Sequence, residues 1–249
     1  MQFDDASLDD DQQAWLSLLN ETSYTHANDV VAAPLIEEPW LSKLEAAEKN
    51  HEGWYQLGVM YYADDKIDAA KKAWKKSLEL KANPFALRCL ANLATTDKDY
   101  DTAIDLYKQA NELMTDITLI CEYAETALAK KDYELARTIT ENSPIKSGRL
   151  ELCNGYAYLG LNDYDKVRAF YDADESFVIT DLREGKGGFD LLWRKMHEQE
   201  LMQKYGITEL TDDIFHEVQK QFPSPEKYNF IMAPPMSPSE RKKAGLKPK

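Results

Sequence analysis

A five-residue turn recurs four times along this 249-residue chain, and its spacing constrains the fold more than any other feature. It reads DDKID at 64–68, DKDYD at 97–101, KKDYE at 130–134 and LNDYD at 161–165. Its apolar member is Ile67, Tyr100, Tyr133 and Tyr164 in turn. Small residues precede each turn in register, at Gly58, Ala91, Ala124 and Gly155, and Ala70, Ala103 and Ala136 follow the first three. The step is 33 residues from Gly58 to Ala91 and again to Ala124, then 31 to Gly155. Self-similarity at such a period marks stacked supersecondary units, none of which can bury its apolar face alone.

The spacing predicts two helices per unit. Small residues stand where the first helix meets the second, and small-on-small contact lets two helix axes approach closely. Trp74 and Tyr107 then plug the gap to the next unit. Glycine and proline are scarce, at 10 each, and Ala, Leu, Lys and Glu abound, which favours helix throughout. Burial between neighbouring units, at about 25 cal/mol per Å2 of apolar surface, is the main expected stabilising effect.

These residues resemble the tetratricopeptide repeat over about 51–172. Trp54, Leu57, Gly58 and Tyr61 match the first half of its pattern, Ala70 with Trp74 and Ala103 with Tyr107 match the second, and Asn83-Pro84 supplies the terminal proline once. The resemblance implies an all-α, right-handed α-solenoid of about four helix pairs with extra capping helices at both ends. The segments TDLREGKGGFDLLWRKMHE and FPSPEKYNF are further similar to the C-terminal part of an uncharacterised bacterial family. Full-length members of that family carry a β-rich, sugar-mutarotase-like N-terminal part, which is absent from this sequence. That second resemblance implies a carbohydrate-related protein.

The expected organisation is N-terminal capping helices over 1–50, repeats over 51–173, a C-terminal helical cap with an extended end over 174–232, and a disordered basic tail over 233–249. One N-terminal helix is predicted with Ser7 as its cap and Trp15, Leu16, Leu18 and Leu19 on its apolar side. Another begins near Pro39. Gly185, Gly187 and Gly188 are read as helix breakers. Beyond them come an amphipathic helix with Leu191, Leu192, Met196 and Leu201, and one starting at Thr211 with Ile214, Phe215, Val218 and Phe222.

Chemistry is sparse. The formal charge of −14 disfavours nucleic acid and anionic membranes as partners. Cys89, Cys121 and Cys153 lie about one repeat apart and read as small core residues in a reducing, cytoplasmic setting. His26, His51, His197 and His216 show no zinc-ligand spacing and are read as exposed or capping side chains; His197-Glu198 and His216-Glu217 lack the second histidine of a zincin helix. No nucleophile elbow or P-loop appears, Gly185-Lys186-Gly187-Gly188 reads as a connector, and no cofactor, metal or enzymatic activity is expected.

The candidate site is the concave groove lined by the first helix of each unit. Its predicted members are Tyr55, Val59, Tyr62, Arg88, Asn92, Thr95, Glu125 and Tyr156, with Cys121 and Leu152 in equivalent places. This aromatic and polar mixture suits a partner protein or a β-rich domain. A clamp for a peptide's terminal carboxylate would need more cations than Arg88. The leading expectation is therefore a non-enzymatic interaction or scaffold module. The alternative is a helical accessory part of a carbohydrate-active or sugar-binding protein.

Overall fold

The computed structural model describes residues 8, 10–21, 23–24, 35–36, 39–172, 187–226 and 235–246. These residues form an all-α fold of tetratricopeptide-like helix pairs with further helices at both ends. Helix α1 (Asp10–Glu21) comes first, then α2 (Trp40–Ala46). The pairs are α3 (His51–Ala63) with α4 (Ile67–Leu80), α5 (Pro84–Thr96) with α6 (Tyr100–Leu113), α7 (Ile117–Lys130) with α8 (Tyr133–Glu141), and α9 (Gly148–Gly160) with α10 (Tyr164–Asp172). Helices α11 (Gly187–Tyr205), α12 (Asp212–Gln221) and α13 (Pro238–Lys243) follow. The only pleated pairing among the described residues is a two-residue parallel bridge, β1 (Ser23–Tyr24) to β2 (Glu48–Lys49). The chain divides into two compact units, Met1–Glu122 and Tyr123–Lys249.

The recurring turn has one backbone geometry in all four units. Its second residue, Asp65, Lys98, Lys131 or Asn162, is left-handed, with φ between 58° and 67°. Its third residue donates its N–H five residues back, Lys66 to Tyr61, Asp99 to Ala94, Asp132 to Ala127 and Asp163 to Tyr158, at 2.8–2.9 Å. The left-handed residue itself donates three residues back, for example Lys131 to Leu128 at 2.9 Å. Together these two bonds are a Schellman closure of the first helix. The third residue then starts the next helix: the Asp99 and Asp132 carboxylates accept from the N–H of Thr102 and Leu135. Elsewhere the same closure uses glycine, at Gly206 and Gly245.

In the N-terminal unit this turn sets Trp74 against Gly58. A Cβ at Gly58 would fall 2.3 Å from the Trp74 ring, so only glycine fits. The indole N–H donates to the Tyr55 carbonyl at 3.2 Å, and the ring reaches Ala86, Leu90 and Leu93 of the next pair, as the gap-plugging role requires. Asn83 joins three helices: its Oδ1 accepts from the N–H of Phe85 and Ala86 of α5, and its Nδ2 donates to Glu52 Oε1 of α3 at 3.2 Å and to Ser77 Oγ of α4 at 3.4 Å. Pro84 therefore stands at the first position of α5, where its missing N–H has no cost. At the N-terminal end, Trp15 packs edge-on to both Tyr24 and Trp40.

In the C-terminal unit, Ala127, Ala136 and Ala157 make the close contact between helices. Tyr133 lies against Gly160, and Leu192 of α11 lies against Gly155. Helix α12 starts at Thr211 and buries Ile214, Phe215 and Val218, as its periodicity predicts.

Three details differ from the sequence reading. Leu19 is exposed, because Ala14, Trp15 and Leu18 supply the buried face of α1; Ser7 lies outside the described residues. Gly187 and Gly188 open α11 instead of breaking it, since a Cβ at Gly188 would fall 2.6 Å from Leu152. Where an unstructured tail was expected, residues 238–243 form α13, nucleated by a Ser237/Glu240 capping box with Pro238 at its start. The Ser239 N–H also donates to Asp212 at 2.9 Å.

Replacing Gly58 by Ala should destabilise the N-terminal unit by about 1–3 kcal/mol through overpacking, read by chemical denaturation. Replacing Lys131 by Gly should act in the opposite sense. It relieves about 1–2 kcal/mol of left-handed strain, against about 0.5–1 kcal/mol of added unfolded-state entropy, for a small net gain in stability.

Candidate functional site

Six of the eight predicted groove residues belong to the N-terminal unit, in two registered triplets. Helix α3 carries Tyr55, Val59 and Tyr62; α5 carries Arg88, Asn92 and Thr95, each 33 residues on. Tyr55 is buried, its ring 6.0 Å from Phe85 and its hydroxyl beside Cys89. Burial raises both groups, the Cys89 thiol to about 12, which leaves it protonated and unreactive at neutral pH. Val59 is half-buried in the same cluster. Thr95 Oγ1 donates to the Ala91 carbonyl at 3.0 Å. Tyr62 and Asn92 are the exposed members, and the Tyr62 ring lies 5.9 Å from that of Trp74.

Arg88, the cation of this set, is already engaged. Its Nε and Nη2 donate to the two oxygens of Glu122, both at 2.7 Å. This two-pronged pair, with Glu122 mostly shielded, raises the guanidinium above its ordinary value. An incoming carboxylate would have to displace Glu122, so Arg88 serves a terminal-carboxylate clamp poorly. Tyr107 lies within the field of the same pair and beside Asn92 and Thr95, and burial raises its hydroxyl. Glu122 was not among the predicted residues. Its signal was available only as a carboxylate 34 residues after Arg88, one repeat and one residue later.

Glu125 and Tyr156 belong to the C-terminal unit. Glu125 accepts both prongs of Arg149, at 2.7 and 2.6 Å. Tyr156 lies under α11, with Lys195 Nζ 5.5 Å from its ring, and burial raises its hydroxyl to about 12. Leu152 and Gly155, on the same face of α9, receive Gly188 and Leu192 of α11. The fourth pair's inner face is thus packed against the chain's own helix.

A second polar cluster escaped the sequence reading. His197 is buried, not exposed or capping. Its ring stacks on Phe222 at 4.0 Å and 8°, and meets Trp193 edge-on at 4.4 Å. His197 Nδ1 lies 3.0 Å from Glu200 Oε2, and Arg168 pairs with the other Glu200 oxygen. Burial, aided by Arg168 and opposed by Glu200, holds the imidazole below its ordinary value. Glu198 is also buried; desolvation raises its carboxyl against the pull of Arg194 and Lys195. Trp193 Nε1 donates to the Phe222 carbonyl at 3.1 Å, so the cluster pins the end of α12 onto α11. The motif that hid it was an ordinary amphipathic stripe, whose basic neighbour, Arg168, comes from α10 and whose stacking partner, Phe222, follows α12.

Among the described residues no group of three or more His, Cys, Asp or Glu could hold a metal ion. None of the described helices is long and apolar enough to cross a membrane. No protein-family model matches the chain, and no curated protein matches it. A solved structure described as the functional characterization of Pseudomonas aeruginosa pilF is similar at 15% identity, covering 76% of this chain and 84% of that one, with a TM-score of 0.49.

The His197 cluster makes stability depend on pH with a defined sign. The unfolded chain binds the imidazole proton first, at about 6.5, because the folded value is lower. Unfolding free energy should therefore fall as pH drops from about 7 through that value. His197→Phe, which keeps a ring against Phe222, should flatten this slope in denaturant titrations; an unchanged slope would assign it to other groups.

Proposed function

We propose that this chain is a non-enzymatic protein-interaction module. Its recognition surface is the inner face of the N-terminal unit, centred on the exposed Tyr62 and Asn92 and bordered by the Arg88–Glu122 pair. The observation that carries this reading is the contrast in side-chain engagement between two equivalent faces. On α3 and α5, an aromatic ring and an amide stand exposed beside a neutralised ion pair. On α9, the corresponding face is filled by α11. An exposed ring with an adaptable amide suits polypeptide recognition, in which aromatics supply contact area and amides pair with backbone. Because Glu122 already neutralises Arg88, the partner is held by shape and hydrogen bonds rather than by a terminal carboxylate.

The dispersed cysteines and the acidic charge support a cytoplasmic setting for this module. The partner is a protein or a β-rich domain of the kind the family resemblance implies.

Tyr62→Ala combined with Asn92→Ala removes exposed side chains and should leave the helical circular dichroism spectrum unchanged. With the purified chain as bait, mass spectrometry should identify a retained polypeptide from the host lysate. The double variant should lower its recovery about tenfold, the scale of one lost interface anchor. Equal recovery would move the interface away from this face, and retention of an oligosaccharide in place of a polypeptide would favour the carbohydrate reading.

A further inference from the structure

Helix α4 is a basic surface on an acidic protein. Residues 66–81 carry six lysines, Lys66, Lys71, Lys72, Lys75, Lys76 and Lys81, against Asp68 and Glu79, a local +4 in a chain of −14. The fold does not require these charges. Helix α6 does the same structural work with Ala103, Tyr107 and Ala110 where α4 buries Ala70, Trp74 and Ser77. Yet the α6 residues in register with Lys71, Lys72 and Lys76 are Ile104, Asp105 and Gln109, and Lys75 alone of the four meets a lysine, Lys108.

The arrangement also carries a local cost. Lys71 with Lys75 and Lys72 with Lys76 are like-charge pairs one turn apart, each destabilising a helix by about 0.2–0.5 kcal/mol. Internal pairing offsets only part of this: Lys71 reaches Asp97 at 3.1 Å and Lys76 reaches Glu79 at 2.8 Å. Lys72 and Lys75 are exposed between them, and Leu80 ends the same helix 53% exposed.

We infer that the outer face of α4, through Lys72, Lys75 and Lys76, docks an acidic polypeptide segment. Charge complementarity selects the sign, and the dimensions select the class. The helix is about 21 Å long, and charges are screened beyond about 8 Å at physiological salt. A narrow carboxylate-rich segment can follow this stripe with its charges within the screening length of the lysines. A duplex or a membrane plane presents its negative charge over a surface wider than one helix of about 21 Å. The residue type agrees. All the cations are lysines, which act as point charges, and none is the arginine whose planar fork suits phosphate.

None of these lysines belongs to the face around Tyr62 and Asn92, so the two can be tested with different substitutions. The probe is a fluorescein-labelled peptide of about ten glutamates, followed by anisotropy with the full chain at low and at physiological salt. Saturable binding at low salt that weakens about tenfold with added salt is expected. Lys72→Glu with Lys75→Glu and Lys76→Glu should abolish it, and the milder Lys→Gln triple should weaken it while retaining the wild-type melting curve. Absent binding at low salt, equal binding by the α4 variants, or tighter binding of duplex DNA or phosphatidylserine vesicles than of the peptide would each overturn the assignment.

Discussion

The reverse turn between paired helices is the constraint on which the rest of this structure depends. In each of the four copies a single residue has two tasks. Its N–H closes the helix behind it, and it opens the helix ahead. In Asp99 and Asp132 the side chain caps that second helix directly. Because there is no slack between closure and start, the second helix leaves at a set phase. That phase brings Trp74 onto Gly58 and Ala136 of α8 onto Ala127 of α7. The geometry demands a left-handed residue just before the shared one, and the chain meets it with Asp65, Lys98, Lys131 and Asn162. Glycine appears at this position only where, among the described residues, no shared residue follows, at Gly206 and Gly245.

The repeated part of this fold was legible because its determinants are local. The turn and the small residues recur at steps of 33, 33 and 31 residues, the gap-filling ring recurs from Trp74 to Tyr107, and each can be read within a few residues of chain. The ends were less legible. Leu19 fits the apolar stripe of α1 by spacing, but whether a neighbour covers it is decided by distant chain. Gly187 and Gly188 look like breakers in isolation, and only the side chain of Leu152 across the contact shows that α11 needs Gly188 small. Local propensity ranks residues in the absence of such neighbours.

The candidate face shows the same division. The register that placed Tyr55, Val59 and Tyr62 opposite Arg88, Asn92 and Thr95 follows from the period alone. Which members remain exposed does not follow from it. Tyr55 is drawn under Phe85, Arg88 is taken by Glu122 and Tyr156 by Lys195. Each of these partners lies outside the helical turn of the residue it engages, so no window of sequence short enough to be periodic contains both. His197 is the same case, since its burial is created by Phe222 and its electrostatic setting by Arg168.

The cations divide by chemistry. Arg88, Arg137, Arg149, Arg168 and Arg194 each pair with a carboxylate, in most cases at partly shielded positions between helices. A planar fork loses little freedom in a two-pronged pair and tolerates partial desolvation, so arginine suits those places. Lysine keeps its charge hydrated on a flexible stem, and on α4 it stands on the outer surface. The consequence is that Arg88 and Glu122 neutralise one another beside Tyr62 and Asn92, while residues 66–81 carry a local excess of positive charge. Selectivity on the inner face must then come from shape, aromatic area and hydrogen bonding at Tyr62 and Asn92. Long-range attraction, and with it the sign of any partner's charge, is left to α4. A partner with an acidic segment beside a neutral binding strand would satisfy both surfaces, each through a different physical interaction.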